Sequence, residues 1–263
     1  MQNNSVSSMQ NPIIKSILQL QKKKTVRRKE NLFIVEGIRS IQEIPANYQV
    51  RYLITTPELA LPKTPALEEK KCLVVTEEVY KAISDTTTPQ GAMAVVEMPV
   101  TKLTDQNFDK RGMYLLLENI QDPGNLGTII RTAHAFGVKA IFITKGSVDL
   151  YSPKVVRATM GSLFHLPIYI DYEAEDYITH LKQAKIPLYV TALEEAQPIY
   201  DIRFEKKMTI VIGNEGNGVS ETVKQMADYK MMIPMPGGSE SLNASIAASI
   251  CIYEVMRQMN INI

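Results

Sequence analysis

The chain has 263 residues, 45% of them hydrophobic and 22% charged, ordinary values for a soluble globular protein of one large or two ordinary domains. No apolar run approaches the ~20 residues needed to span a bilayer, and MQNNSVSSMQ at the start lacks the apolar core of a signal peptide, so no membrane partner and a cytoplasmic location are expected. The net charge of +1 is uneven: residues 1–40 hold eight Lys and Arg against two Glu, a net +6 that leaves −5 for the rest, and such a basic end suits a polyanion.

Asn11-Pro12 reads as a helix start, with Asn as cap and Pro in the first turn. Ile13, Ile14, Ile17 and Leu18 give that helix an apolar face. Residues 22–29 (KKKTVRRK) follow as a basic turn, in which Lys22, Lys23, Lys24, Arg27, Arg28 and Lys29 are the candidate polyanion contacts. Short apolar runs at 32–36 (LFIVE), 50–55 (VRYLIT), 72–75 and 92–97 (AMAVVE) read as strands. Residues 38–44 and 77–84 read as helices between them. The alternation predicts a small α/β sandwich over residues 1–100. Residues 101–111 are polar, break the pattern and are expected to be a linker.

A second alternation fills residues 112–263. Residues 113–117 (MYLLL) form a continuous apolar strand, the pattern of a sheet covered on both faces. Further strands are predicted at 140–144, 168–170, 188–193, 208–212 and 230–233, with helices at 126–136, 155–161, 173–185, 220–227 and from Ser241 onward. Leu242, Ile246, Ile250, Val255 and Met256 recur about once per turn and are expected to face the core. Ser239 or Ser241 can cap that last helix, and Asn125 the helix before Gly137. The fold class is α/β with a parallel sheet, in which ligands bind beyond the carboxyl ends of strands. Cys72 and Cys251 lie far apart in apolar contexts without a CxxC, and are expected to be buried, reduced thiols. His134, His165 and His180 are scattered, no metal-ligand spacing is present, and no metal is expected.

Three loops at strand ends concentrate glycine, proline and small polar residues. The first reads N-x-x-D-P-G-N-x-G-x-x-x-R, from Asn119 to Arg131. Arg131 lies less than two helical turns beyond Asn125, so its fork can reach back toward the loop and grip a phosphate or carboxylate. The second, GNEGNG from Gly213 to Gly218, is neither G-x-G-x-x-G nor a Walker loop, but its glycines admit close backbone approach and Glu215 adds a carboxylate. The third, PMPGGSESLN, places Ser241 and Asn243 at a helix start, with Ala244, Ala247 and Ala248 keeping the first turns thin.

Together these loops resemble those of the SpoU (TrmH-like) branch of the SPOUT RNA methyltransferases. NIQDPGNLGTIIRTAHAFG at 119–137, IVIGNEGNGVS at 210–220 and IPMPGGSESLNASIAASICIYE at 233–254 resemble the three family motifs, and YSPKVVRATMGSLFHLPI at 151–168 resembles the segment between them. The basic N-terminal part is similar to the ribosomal-protein-L30e-like RNA-binding domain that often precedes this catalytic domain. The resemblance implies a SPOUT-type parallel sheet with a C-terminal trefoil knot, an exception to the rule against knots. It implies S-adenosylmethionine as cofactor, held by Ala192, Leu193, Gly213, Asn214, Gly218, Ile233, Pro234, Met235 and Leu242.

The implied reaction is methylation of a ribose 2′-hydroxyl in structured RNA, rRNA (23S first) before tRNA, by a homodimer joined through its C-terminal domain. The implied catalytic set is Arg131, Asn125, Glu215, Asn243 and Ser241, with the basic residues 22–29 on RNA. A guanidinium does not take a proton at neutral pH. Arg131 is therefore expected to hold the neighbouring phosphate and stabilise developing charge, while Asn125, Glu215, Ser241 and Asn243 fix the hydroxyl. Two alternatives stand beside this reading: a non-catalytic RNA-binding ribosome-assembly factor that kept the fold, and an RNA base methyltransferase.

Overall fold

Residues 5–59, 72–238 and 241–259 are described by the computed structural model. The chain divides into two units, each with its own sheet: one holds the residues up to Val100 together with Asp149–Phe164, the other Thr101–Val148 and His165 onward.

The first unit begins with α1 (Pro12–Lys22), where Asn11 Oδ1 accepts from Ile13 N at 2.9 Å and Pro12 needs no donor. Ile14, Ile17 and Leu20 turn inward. Residues read as a basic turn form a second helix, α2 (Lys24–Glu30), which Asn31 ends in the left-handed region at φ 55°. Then come β1 (Leu32–Glu36), α3 (Ile38–Gln42), β2 (Val50–Thr55), β3 (Cys72–Val74), α4 (Glu77–Ile83) and β4 (Ala92–Glu97). The sheet order is β1-β4-β2-β3, antiparallel except for β2 with β3. Ile14, Ile17, Leu20, Ile34, Ile54, Val79 and Tyr80 form its core on one face. The expectation of a buried Cys72 is corrected: β3 is the sheet edge, and the residue is exposed, while Cys251 is buried.

Arg27 is 4% exposed, despite its place in the basic run. Its Nε and Nη2 donate to Asp149 Oδ2 at 2.9 and 2.5 Å, and its Nη1 to the carbonyls of Leu20 and Gln21. The inserted segment therefore docks through a buried ion pair, reinforced by Tyr151 against Phe33 at 4.8 Å and Phe164 edge-on to Tyr48 at 5.0 Å.

The second unit comprises β5 (Gly112–Leu117), α5 (Pro123–Ala135), β6 (Ala140–Thr144), β7 (Ile168–Tyr172), α7 (Ala174–Gln183), β8 (Leu188–Thr191), β9 (Gln197–Pro198), β10 (Lys207–Ile212), α8 (Glu221–Met226), β11 (Tyr229–Met232) and α9 (Ala244–Gln258). The helix α6 (Pro153–Ala158) lies in the segment that joins the first unit. The sheet order is β7-β6-β5-β10-β8-β11-β9, with every pairing parallel. Every residue of β5 and β6 is buried, as a sheet covered on both faces requires. Because all strands run the same way, the segments after β5, β8, β10 and β11 emerge at one edge. Residues 101–111 belong to this unit, with Leu103 buried in its core and Phe108 packed edge-on to Tyr114 at 5.1 Å.

Three helix details differ from the periodicity reading. Helix α5 starts three residues early, because Asp122 rather than Asn125 is its cap, accepting from Asn125 N at 2.8 Å with Pro123 behind it. Helix α9 starts at Ala244 with Asn243 as its cap; Ser241 lies before it, and Ser239 falls outside the described residues. Its inward face is Ala244, Ala248, Cys251, Ile252 and Val255, while Ile246, Ile250 and Tyr253 are 50, 36 and 52% exposed.

Candidate active site

The site is built where three loops meet at the carboxyl edge of the second sheet. After β5 the chain turns through Asn119, held at φ 54° with its N–H on Thr144 Oγ1 at 3.0 Å. After β10 it makes a closed loop in which Asn214 and Gly218 exchange backbone hydrogen bonds at 2.9 Å each. Asn214 organises both loops: Oδ1 accepts from Gly216 N and Asn217 N at 2.9 and 3.1 Å, and Nδ2 donates to Asn119 O at 2.8 Å. Gly213 is required by space, since a Cβ there would stand 2.2 Å from the carbonyl carbon of Gly218.

The loop after β10 points Glu215 at the start of α5. Its carboxylate accepts from Gln121 N and Asp122 N at 3.1 Å each, and from Asn125 Nδ2 at 3.1 Å. Burial pushes the Glu215 carboxyl up, but the Asn125 side chain and the backbone N–H groups of Asp122, Gln121 and Glu215 itself outweigh it and hold the group below the usual glutamate range. The line of hydrogen bonds continues: Asn243 Nδ2 donates to Asn125 Oδ1 at 2.9 Å, and Asn243 Oδ1 accepts from Ser245 Oγ at 2.6 Å and Ser245 N at 2.9 Å. Ser245, Asn243, Asn125 and Glu215 are thus joined across two helix starts and a loop.

Beside this line lies a cleft of about 640 Å³, within the range of small-molecule sites. Ala192, Leu193, Gly213, Asn214, Gly218, Ile233, Met235 and Leu242 are in its wall, together with Glu215 and Ser241; Pro234 is not among its lining residues. Its rim carries two ion pairs, Glu195 to Lys230 at 2.8 Å and Glu221 to Lys224 at 2.7 Å. The expected cofactor fits this wall. The crowded backbone at Gly213, the thin Ala244 and Ala247, and the exposed Leu193 suit a flat apolar ring flanked by polar groups.

Arg131 stands apart. It is exposed on α5 and has no hydrogen-bond or ion-pair partner among the described residues. In the first unit Lys22, Lys23, Lys24 and Lys29 are exposed, Arg28 is half-buried, and Arg27 is removed from the basic surface by its pair with Asp149. Sequence reasoning placed Asn119 and Asp122 in the first motif without giving either a role, and passed over Glu118. The buried Glu118 accepts from Ser220 Oγ at 2.6 Å and Ser220 N at 2.9 Å, tying the end of β5 to the start of α8. An Asp directly before Pro is the one signal that could have been read, as a cap and first-turn pair. His134 and His165, scattered in sequence, stack at 4.4 Å. Among the described residues no group of three or more His, Cys, Asp or Glu could hold a metal, and no helix is long and apolar enough to cross a membrane.

The SpoU rRNA Methylase family profile matches residues 112–253, and that of the MRM3-like substrate binding domain matches residues 11–94. The chain is 33% identical over 252 residues to the 23S rRNA (guanosine(2553)-2′-O)-methyltransferase RlmP of Bacillus subtilis, covering 95% of this chain and 98% of that one. It is 31% identical over 245 residues to the 23S rRNA (uridine(2479)-2′-O)-methyltransferase of Streptomyces viridochromogenes, covering 88% and 85%. The AdoMet-bound rRNA methyltransferase from Sinorhizobium meliloti superposes with a TM-score of 0.87 at 30% identity, covering 97% and 98%. With a profile that spans more than half of its length and relatives above 30% identity that align over most of it, the protein belongs to the SpoU rRNA methylase family.

Proposed function

We propose that the protein transfers a methyl group from S-adenosylmethionine to a ribose 2′-hydroxyl of rRNA, with 23S rRNA as the first substrate to test. The observation that carries this reading is the hydrogen-bonded line from Asn243 through Asn125 to Glu215, set beside a cleft whose wall fits the cofactor. The near full-length match to 23S rRNA 2′-O-methyltransferases supports the same substrate and reaction.

When bound, S-adenosylmethionine supplies a methyl group that is already strongly electrophilic. The remaining difficulty is a weakly acidic hydroxyl that must be oriented and lose a proton. Glu215 is a poor base for that proton, because its hydrogen bonds favour the ionised form and three of them come from groups outside its own residue. Its role is to orient Asn125, whose amide in turn fixes Asn243. Arg131, with its fork uncommitted, grips the phosphate beside the target ribose and stabilises charge as the proton leaves to solvent. Ala192, Leu193, Gly213, Asn214, Gly218, Ile233, Met235 and Leu242 hold the cofactor, and Ser241 closes the wall beside them.

The exposed stripe Ile246, Ile250 and Tyr253 on α9 supports a homodimer through the second unit, because a contiguous apolar helix face in water calls for a partner. The insertion of β10 between β5 and β8, followed by return of α9 to α5, supports the trefoil knot. A cytoplasmic location fits the likeness to bacterial 23S rRNA methyltransferases. The test is mass mapping of 2′-O-methylated nucleotides in RNA from cells with and without the gene. One ribose methyl missing from 23S rRNA establishes the reading; unchanged RNA from the deletion strain, with no methyl transfer to that RNA by the purified protein, overturns it.

A further inference from the structure

Within the first unit, an irregular loop is held more firmly than its lack of regular structure requires. Glu36, the last residue of β1, is 7% exposed. Its carboxylate accepts from Ser84 Oγ, from Thr86 Oγ1 at 3.3 Å and from Asp85 N at 3.2 Å. A carboxylate is buried at a cost unless its acceptor positions are filled, and here residues 84–86 fill them. The other end of the loop is pinned by Gln90 Oε1, which accepts from Ile38 N at 3.1 Å. Gly37 and Gly91, at φ 99° and 78°, make the two turns that bring these ends together. The result is a fixed loop with Thr87, Thr88 and Gln90 on its outer side.

Two arginines flank it. Arg39 directly follows Ile38, whose N–H makes the Gln90 contact, and its side chain is at the surface. Arg157, on α6, has Nη1 at 2.6 Å from Asp85 Oδ2, but that nitrogen is enclosed without a hydrogen bond among the described residues. Asp85 thus neutralises Arg157 without filling its fork, which leaves the guanidinium suited to a better-placed oxyanion.

We propose that this surface, residues 84–90 with Arg39 and Arg157, is where the first unit reads its RNA. The inference rests on the rRNA methyltransferase reading above. Rigid hydroxyl and amide groups between two guanidinium forks match structured RNA, with phosphates to the arginines and ribose hydroxyls or base edges to Thr87, Thr88 and Gln90. The basic run at residues 22–29 lies at the opposite end of β1, since α2 leads into Leu32 while the loop meets Glu36. Its lysines supply sequence-independent attraction, and the loop supplies register. On binding, a phosphate replaces Asp85 as the partner of Arg157.

The experiment measures binding of the full chain to deproteinised 23S rRNA from the deletion strain over a series of salt concentrations. Cofactor affinity is followed by calorimetry and methyl transfer by radiolabel. Arg39→Gln with Arg157→Gln is expected to weaken RNA binding at least tenfold and to lower the salt slope by about 0.7–0.9 for each phosphate no longer neutralised, with S-adenosylmethionine affinity unchanged. Asp85→Asn tightens RNA binding severalfold. Arg39→Gln and the Thr87→Ala, Thr88→Ala pair change surface residues only, so they carry the test if Arg157→Gln misfolds. Wild-type-like affinity and slope in these surface variants, with methyl transfer intact, overturns the surface alone. A wild-type protein that neither binds nor methylates the rRNA overturns the reading beneath it and the surface with it.

Discussion

Asn243 Nδ2 donates to Asn125 Oδ1 at 2.9 Å, joining residues 118 positions apart in sequence. Each asparagine has a second duty. Asn243 caps α9, and Asn125 donates to Glu215. The amide pair therefore ties the third motif loop to the first and passes the orientation of one helix start to the other.

Replacing Asn125 by Ala removes a donor to Glu215 and an acceptor for Asn243 at once. Turnover is expected to fall by roughly 10²–10³, the scale for a lost preorganised donor, while cofactor affinity changes little. Single-turnover methylation beside calorimetry checks this. Turnover within a few-fold of wild type would show that the hydrogen-bonded line is structural only.

Arg131→Ala is expected to abolish methyl transfer and leave cofactor affinity intact, because Arg131 is not part of the cleft wall. Arg131→Lys restores little, since an ammonium cannot reproduce the bidentate fork. Near-normal turnover in the alanine variant removes Arg131 from the chemistry.

Gly213→Ala puts a methyl into the backbone at Gly218 and Val219, where no flexible side chain can yield. The loop must open, and cofactor affinity is expected to drop at least tenfold. Titration of the variant with S-adenosylmethionine decides it.

The depressed Glu215 carboxyl contributes stability that is fully present above the unfolded-state glutamate pKa. That contribution is lost as pH falls through the lower folded value. Thermal unfolding followed from neutral pH into acid should therefore show wild type above Glu215→Gln at neutral pH and a steeper loss in wild type, with the two curves converging on the acid side of the usual glutamate range. Parallel curves would mean that Glu215 is not held in its ionised form by the fold.

Arg27 and Asp149 have side chains only 5% and 8% exposed. Removing either partner strands a buried charge, and about 3–5 kcal/mol of stability should go with it. The double apolar replacement should cost less than either single change. Chemical denaturation of the three variants measures the difference.

The strands were legible wherever apolar residues ran without interruption, as in β5, β6 and β10, because burial on both faces leaves little room for polar residues. The site loops were legible as glycine and proline punctuation at strand ends. What escaped were choices between equivalent local signals. Asp122 and Asn125 are both competent caps, and Pro123 tips the start of α5 to the earlier one, freeing the Asn125 side chain for Glu215. Helix α9 is apolar on two faces, and periodicity alone cannot say which packs; the side with Ala244, Ala248 and Cys251 turns inward, while α5 meets the helix at Ser249 and Tyr253 through Thr132 and Phe136. Arg27 read as surface because its partner stands 122 residues away. Cys72 read as core because a local apolar context does not reveal that its strand is the sheet edge.

The excursion of Asp149–Phe164 into the first unit bears on how the enzyme can be divided. A fragment cut at residue 112 would carry a piece of its neighbour's interior, with Val155, Val156, Leu163 and Phe164 stripped of the partners that bury them and Asp149 without Arg27. The complementary fragment would lose the aromatic cover over Phe33. The two halves are thus not interchangeable modules: grafting a foreign substrate-recognition half onto this catalytic half requires exchanging the 149–164 segment along with it.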